Sequence, residues 1–86
     1  MKTTHDIEGD VLYIRNDDIA DISYQESNYD IETVWHISNN NIVGATIMGV
    51  KILNSDLIKR RWFWSNPDWK DVPDDIIAEI RRYVRP

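Results

Sequence analysis

The hydrophobic pattern of this 86-residue chain changes its period part-way along the sequence. In the first part, apolar residues alternate with polar ones, which is typical of strands with one buried face. In the last third, they recur at the spacing of an amphipathic helix. A chain of this length supports one domain. The sequence therefore predicts a single α+β domain over residues 1–86, with a β-rich part (1–58) followed by an aromatic turn and a C-terminal helix (59–86).

The first part contains the elements of an antiparallel sheet of about four strands. Val11–Arg15 is rich in β-branched and aromatic residues, a weaker strand is predicted over 19–24, and alternation is strict over 30–38. Asn39, Asn40 and Asn41 follow directly, and asparagine tolerates the positive φ of tight hairpins. The chain should therefore turn there and return as a fourth strand over 42–50.

The interior of this sheet can also be predicted. The side chains expected in the core are those of Leu12, Ile14, Ile22, Val34, Ile47 and Val50. Gly44 and Gly49 in the fourth strand permit a bulge or a close approach by another backbone. The spacing over 51–61 suits either a short helix or an extension of the last strand.

The C-terminal helix is predicted from capping, charge and periodicity together. Asp71 is a candidate cap, Pro73 suits the first turn, and Asp74 and Asp75 favour the positive end of the helix dipole. The bases at the opposite end are Arg81, Arg82 and Arg85. The helical stripe, which must be buried on something, consists of Ile76, Ile77, Ile80, Tyr83 and Val84.

Net charge and composition exclude several classes of function. Ten Lys and Arg residues against 15 Asp and Glu residues give a net charge of −5, which argues against a general affinity for nucleic acid or anionic membranes. No apolar run approaches the roughly 20 residues of a membrane-spanning helix, and the N-terminus lacks a hydrophobic signal core. With no cysteine in the chain, a reducing, cytoplasmic location is the expectation.

The charge is unevenly distributed along the chain. Residues 1–58 contain three bases and ten acids, a net charge of −7, whereas residues 59–86 contain seven bases and five acids, a net charge of +2. An acidic β-rich part is thus joined to a basic aromatic part.

Two segments resemble a known family. Residues 5–15 (HDIEGDVLYIR) and 40–50 (NNIVGATIMGV) are similar to the opening and closing strands of the YuzE-like family of small proteins of unknown function. The resemblance spans roughly residues 4–54 and implies a compact antiparallel sheet with a helix, no established enzymatic activity, and an antitoxin-like role beside small toxin proteins. The longer segment at 24–29 departs from the family pattern, and the tail from Trp62 onward lies outside the match.

Neither a metal site nor a catalytic site is predicted. The acids Asp6, Glu8, Asp10, Asp17 and Asp18 lack the later bidentate glutamate of a calcium loop. His5 and His36 are the only imidazoles, too few for a zinc site without cysteine. His36, Ser38 and Glu32 share one predicted strand face, where side chains lie side by side and do not converge on a pocket. We therefore expect a protein that is not an enzyme and holds no cofactor.

The run from residue 59 to 64 interleaves cations with aromatic rings. Lys59, Arg60 and Arg61 precede Trp62, Phe63 and Trp64, a combination that suits a single-stranded nucleic-acid platform. The alternative is that Trp62 and Trp64, or Phe63, pack into the core while the cations remain in water.

The preferred interpretation is a non-enzymatic binding protein that neutralises a basic protein partner, such as a toxin or nuclease. The expected partner-binding residues are the acids Asp17, Asp18 and Asp21, which would steer the partner, and the anchors Trp62, Trp64, Trp69, Ile76, Ile80 and Tyr83. The alternatives are a nucleic-acid-binding module that uses Lys59, Arg60 and Arg61, and a structural homodimer joined by a strand edge or the helix stripe.

Overall fold

A computed structural model describes residues 1–29 and 32–86. Within them lie five strands, three α-helices and one 3₁₀ helix. In chain order these are β1 (Lys2–Asp6), β2 (Val11–Arg15), β3 (Ser23–Glu26), β4 (Thr33–Ser38), β5 (Asn41–Met48), α1 (Val50–Ser55), α2 (Leu57–Trp64), the 3₁₀ helix (Pro67–Asp71) and α3 (Asp74–Arg81).

The strands form one sheet in the order β1-β2-β5-β4-β3, and every neighbouring pair is antiparallel. The predicted α+β class, with an antiparallel sheet followed by C-terminal helices, is confirmed. The edge strand β1 was not predicted because its sequence, KTTHD, contains no apolar residue. The strand predicted over 19–24 is displaced to Ser23–Glu26, since a turn after β2 bonds Ile19 N to Asn16 O and carries the chain away from the sheet. Asp30 and Ile31, the first residues of the strand predicted over 30–38, lie outside the described residues.

The hairpin between β4 and β5 forms at the predicted asparagines. Asn39 and Asn40 have φ values of 50° and 64°, the left-handed conformation that asparagine tolerates. Strand β5 ends at Met48, two residues earlier than predicted, because Gly49 adopts a φ of 76° and is the N-cap of α1. Residues 51–61 thus belong to two short helices and do not extend the strand.

One face of the sheet and the helices enclose the core. Its members are Leu12, Ile14, Trp35, Ala45, Ile47, Val50, Leu53, Phe63, Val72, Ile76, Ile80 and Val84. Two residues predicted for the core are only half-buried. Val34 points to the opposite face of the sheet from its buried neighbours Thr33 and Trp35, and Ile22 lies in the loop before β3.

Helix α3 begins without a side-chain cap. Pro73 occupies the cap position, and Asp71 ends the preceding 3₁₀ helix two residues earlier, so the prediction that Asp71 caps α3 is wrong. Asp74 and Asp75 do lie in the first turn, and Arg81 lies in the last. Across residues 1–29 and 32–86, no helix is both long and apolar enough to cross a bilayer.

Candidate functional site

A surface groove opens where β5 ends and the chain continues into α1 and α2. It has a volume of about 380 Å³. Its lining residues are Tyr29, Glu32, Met48, Gly49, Ile52, Leu53, Ile58, Lys59, Trp62 and Phe63. We call this feature the α1–α2 groove.

Five of the ten residues that line the α1–α2 groove are large apolar side chains that remain exposed. Ile58 is 79% exposed and Trp62 is 73% exposed, and Ile52, Met48 and Tyr29 are also exposed. Within α2, Phe63 is the one buried residue. Contiguous exposed apolar surface of this kind marks interaction sites in soluble domains.

The periodicity of α2 explains why Ile58 and Trp62 lie together. They are four residues apart and therefore share one helix face, whereas Phe63 is turned by a further 100° toward the core. Asp56 fixes the start of the helix, because its carboxylate accepts hydrogen bonds from the backbone N–H groups of Ile58 and Lys59.

The turn between β1 and β2 holds the other helix of the groove in place. Asp10, at a φ of 53°, accepts a hydrogen bond from Lys51 N through its carboxylate and one from Gly49 N through its backbone carbonyl. The same carboxylate lies 3.1 Å from Nε2 of His5. These contacts satisfy N–H groups at the start of α1 that have no partner within the helix.

A buried polar network supports the wall of the groove that contains Tyr29. The Asp68 carboxylate accepts hydrogen bonds from Oγ of Ser27, at 2.7 Å, and from the indole N–H of Trp35, at 3.0 Å. Ser27 in turn accepts from Tyr29 N and from the side-chain amide of Asn66. The segment before the groove is thereby tied to the 3₁₀ helix.

Two cations flank the apolar stripe formed by Ile58 and Trp62. Successive residues of a helix turn by about 100°, which places Lys59 on one side of the stripe and Arg61 on the other. Within the described part of the chain, the ion pairs are His5 with Asp10 and Arg82 with Glu79, so neither Lys59 nor Arg61 pairs with a carboxylate there. Arg60, by contrast, donates to Asn54 O and is half-buried.

Two of the predicted tryptophan anchors are half-buried in an aromatic cluster that packs against the core. Trp64 and Trp69 stack at a centroid distance of 4.7 Å, and Trp69 also packs edge-to-face against Trp35 and Phe63. Their indole N–H groups donate to Arg85 O and Phe63 O. Of the three predicted anchors, Trp62 is the one whose ring is free for a partner.

Ile76 and Ile80 of α3 are part of the core and are not available as a docking surface. Ile76 is 2% exposed and Ile80 is 0% exposed, because the stripe of α3 packs into the chain's own hydrophobic core. Tyr83 is half-buried against the same core, with its ring edge-to-face to His5. The apolar stripe was predicted correctly, but it packs on the protein's own core and not on a partner protein.

The predicted acidic residues lie away from the α1–α2 groove. Asp17, Asp18 and Asp21 are exposed in the loop that leaves β2 after Arg15. The groove is at the other end of β2, where Val11 pairs with Met48. Four residues of strand separate the two ends, a distance of about 13 Å. The acidic loop and the aromatic anchor in the groove therefore do not lie on one binding face.

His36 is the one buried titratable side chain on the outer face of the sheet, among the residues that the structure describes. Its Nε2 lies 2.8 Å from Oγ1 of Thr46, and the Tyr24 ring packs against it edge-to-face. Burial, with a smaller contribution from the charge of Arg15, holds the pKa of His36 below its ordinary value of 6.5.

This lowered pKa makes stability depend on pH. As the pH falls through 6.5, the unfolded chain protonates His36 more readily than the folded chain does, so the free energy of unfolding falls until the folded pKa is passed. In His36→Gln this contribution is absent, and we expect urea unfolding to show a shallower pH dependence than in the unsubstituted protein. Identical pH profiles for the two proteins would contradict the assignment.

Over residues 1–29 and 32–86, no three His, Asp or Glu side chains come together in a way that could hold a metal ion. The side-chain hydrogen bond of His36 is to Thr46 on the neighbouring strand.

Comparisons with protein-family models, curated proteins and solved structures gave no match to this chain. The YuzE-like resemblance therefore remains a prediction from two short motifs. The sequence-based interpretation did not assign Tyr29, Met48, Ile52 or Ile58 to a binding site, although the spacing of Ile52 and Ile58 was one reason to expect a short helix over 51–61. The signal for Ile58 was its i, i+4 spacing from Trp62, which matters only once residues 57–64 are known to be helical.

Proposed function

We propose that this chain is a non-enzymatic binding protein that docks a partner protein in the α1–α2 groove and inhibits the partner by occupying its surface. The observation that supports this function best is the exposure of Ile58 and Trp62 on a helix that sends Phe63 into the core. Tryptophan in a concave apolar site is a common anchor of protein interfaces.

The surrounding structure suits such a role. Both helices of the groove are capped or tied by carboxylates, and the Tyr29 wall is held by the Asp68 network, so the surface is formed before a partner arrives. Little conformational entropy would then be lost on docking. Inhibition by binding requires only a preformed docking surface and no catalytic residues. This mechanism agrees with the antitoxin-like role that the YuzE-like resemblance implies.

Photocrosslinking in the producing cells tests this function. A benzophenone amino acid at position 58 of the full chain should give a discrete crosslinked protein, and Trp62→Glu in the same chain should abolish it. The control places the same group at position 18, an exposed site near the far end of β2. No product at position 58, or the same product from both positions, would contradict docking at the groove. A product of twice the chain mass would identify a second copy as the partner.

A nucleic-acid-binding function has one observation in its favour, the exposed ring of Trp62 beside Lys59 and Arg61. Such platforms stack several bases on successive rings, whereas Trp64 is partly covered here and Arg60 is engaged by Asn54 O. Quenching of tryptophan fluorescence by a single-stranded oligonucleotide, weakening steeply with salt, would favour this function over protein docking.

A further inference from the structure

The charges on helix α2 differ in sign from the net charge of the whole molecule. The chain has a net charge of −5, yet α2 (Leu57–Trp64) contains three bases and no acid. Two of these bases, Lys59 and Arg61, are exposed on either side of the Ile58 and Trp62 stripe and pair with no carboxylate in the described part of the chain.

Glu32, on the sheet side of the groove, is the one acid among the described residues of its lining, and it already has an interaction within the chain. An occupant of the groove thus meets apolar side chains in the middle and uncompensated cations along α2. Complementary charges across an interface favour the partner whose pattern matches and disfavour the opposite one.

We infer that the occupant of the α1–α2 groove is an amphipathic segment of a partner protein that carries carboxylates on both sides of its apolar stripe. This inference rests on the proposed docking function. The apolar side chains of the segment enter between Ile52 and Trp62. Its carboxylates face Lys59, which lines the groove, and Arg61, which lies across the Ile58 and Trp62 stripe outside that lining. The total charge of the chain pointed instead to a basic partner, but the three acids predicted to steer that partner, at 17, 18 and 21, lie at the far end of β2.

The concave shape of the site favours a protein segment over a phosphate-bearing surface. A groove of about 380 Å³ receives inserted side chains, whereas a lipid surface or a nucleic-acid backbone would meet the two cations and leave the groove empty.

Two synthetic helical peptides test the inference. Both carry leucine at i, i+3, i+4 and i+7; one has glutamate on both flanks of the leucine stripe and the other has lysine. Binding to the full chain is followed by NMR shifts of Ile52, Ile58 and Trp62. Exposed ion pairs between the glutamates and Lys59 and Arg61 should give the glutamate peptide about tenfold higher affinity than the lysine peptide at low salt. The advantage should shrink as salt is added.

Charge reversal supplies the matched controls. Lys59→Glu with Arg61→Glu should reverse the peptide preference, whereas Lys2→Glu with Lys70→Glu, the same change in net charge at exposed sites outside the groove, should retain it. Equal affinity for both peptides, or a preference for lysine, overturns the inference and leaves docking intact. If neither peptide shifts the groove residues, the docking function itself fails. Binding of phosphatidylglycerol vesicles or of an oligonucleotide through Lys59 and Arg61, with no peptide binding, also overturns the inference.

Discussion

Gly44→Ala is expected to lower the free energy of unfolding by about 3 kcal/mol, because the new methyl group has no room between adjacent strands. A Cβ at position 44 would meet the carbonyl oxygen of Ile14 on β2 far inside van der Waals distance and lie 2.8 Å from Nδ1 of His36 on β4. The carbonyl oxygen belongs to the backbone and cannot rotate away, so the strands must move apart. For a domain of this size, the melting temperature should fall by more than about 10 °C.

Gly9→Ala provides the control for Gly44→Ala. Its Cβ would lie 2.9 Å from the Asp6 carboxylate, which is the far end of a flexible, exposed side chain. We expect a loss of about 0.5 kcal/mol for this exposed turn position. Equal melting temperatures for the two variants would show that close packing is not the reason that position 44 requires glycine.

Asp68→Ala is also expected to cost about 3 kcal/mol, in this case by leaving buried donors without an acceptor. Ser27 and Trp35 are 6% and 4% exposed, and both donate to the same oxygen of Asp68. Each unsatisfied buried donor costs about 1–3 kcal/mol. Urea unfolding measures the loss. NMR shifts of Tyr29 should change as well, because Ser27 also accepts from its backbone N–H.

Asp68→Asn separates the hydrogen bonds from the volume of the side chain. The amide oxygen of asparagine can accept from both Ser27 and Trp35, so we expect a loss of only about 1 kcal/mol, the difference between a charged and a neutral acceptor. If the alanine and asparagine variants are equally unstable, the network does not stabilise the fold in the way that its geometry indicates.

Much of the sheet could be predicted from the sequence because its signals are local. β2 is bounded by turn residues, and the hairpin before β5 depends on asparagines that tolerate positive φ. β1 escaped prediction because its five residues are all polar or charged and are held in the sheet by pairing with β2, which is not visible in the pattern of a single segment.

The candidate site was predictable only in part, because its position depends on tertiary packing. Trp62 and Trp64 are two apart, which suggested a shared face in an extended run, but α2 is helical and separates them by about 200°. The stripe that includes Ile76 was correctly expected to be buried, yet periodicity cannot say whether the covering surface is the protein's own sheet or a partner. Similarly, a count of acids does not reveal that Asp17 lies at the far end of the sheet from the groove.

The most direct test of the docking surface is the free energy of unfolding of the double variant Ile58→Gln with Trp62→Gln, measured by urea titration against the unsubstituted chain. Glutamine is a good helix former without the apolar surface, so a loss within about 0.5 kcal/mol is predicted if these side chains are exposed and unused by the fold. A loss of about 2 kcal/mol or more would contradict this, since it would place Ile58 and Trp62 in the protein's own core and leave the α1–α2 groove without its anchors.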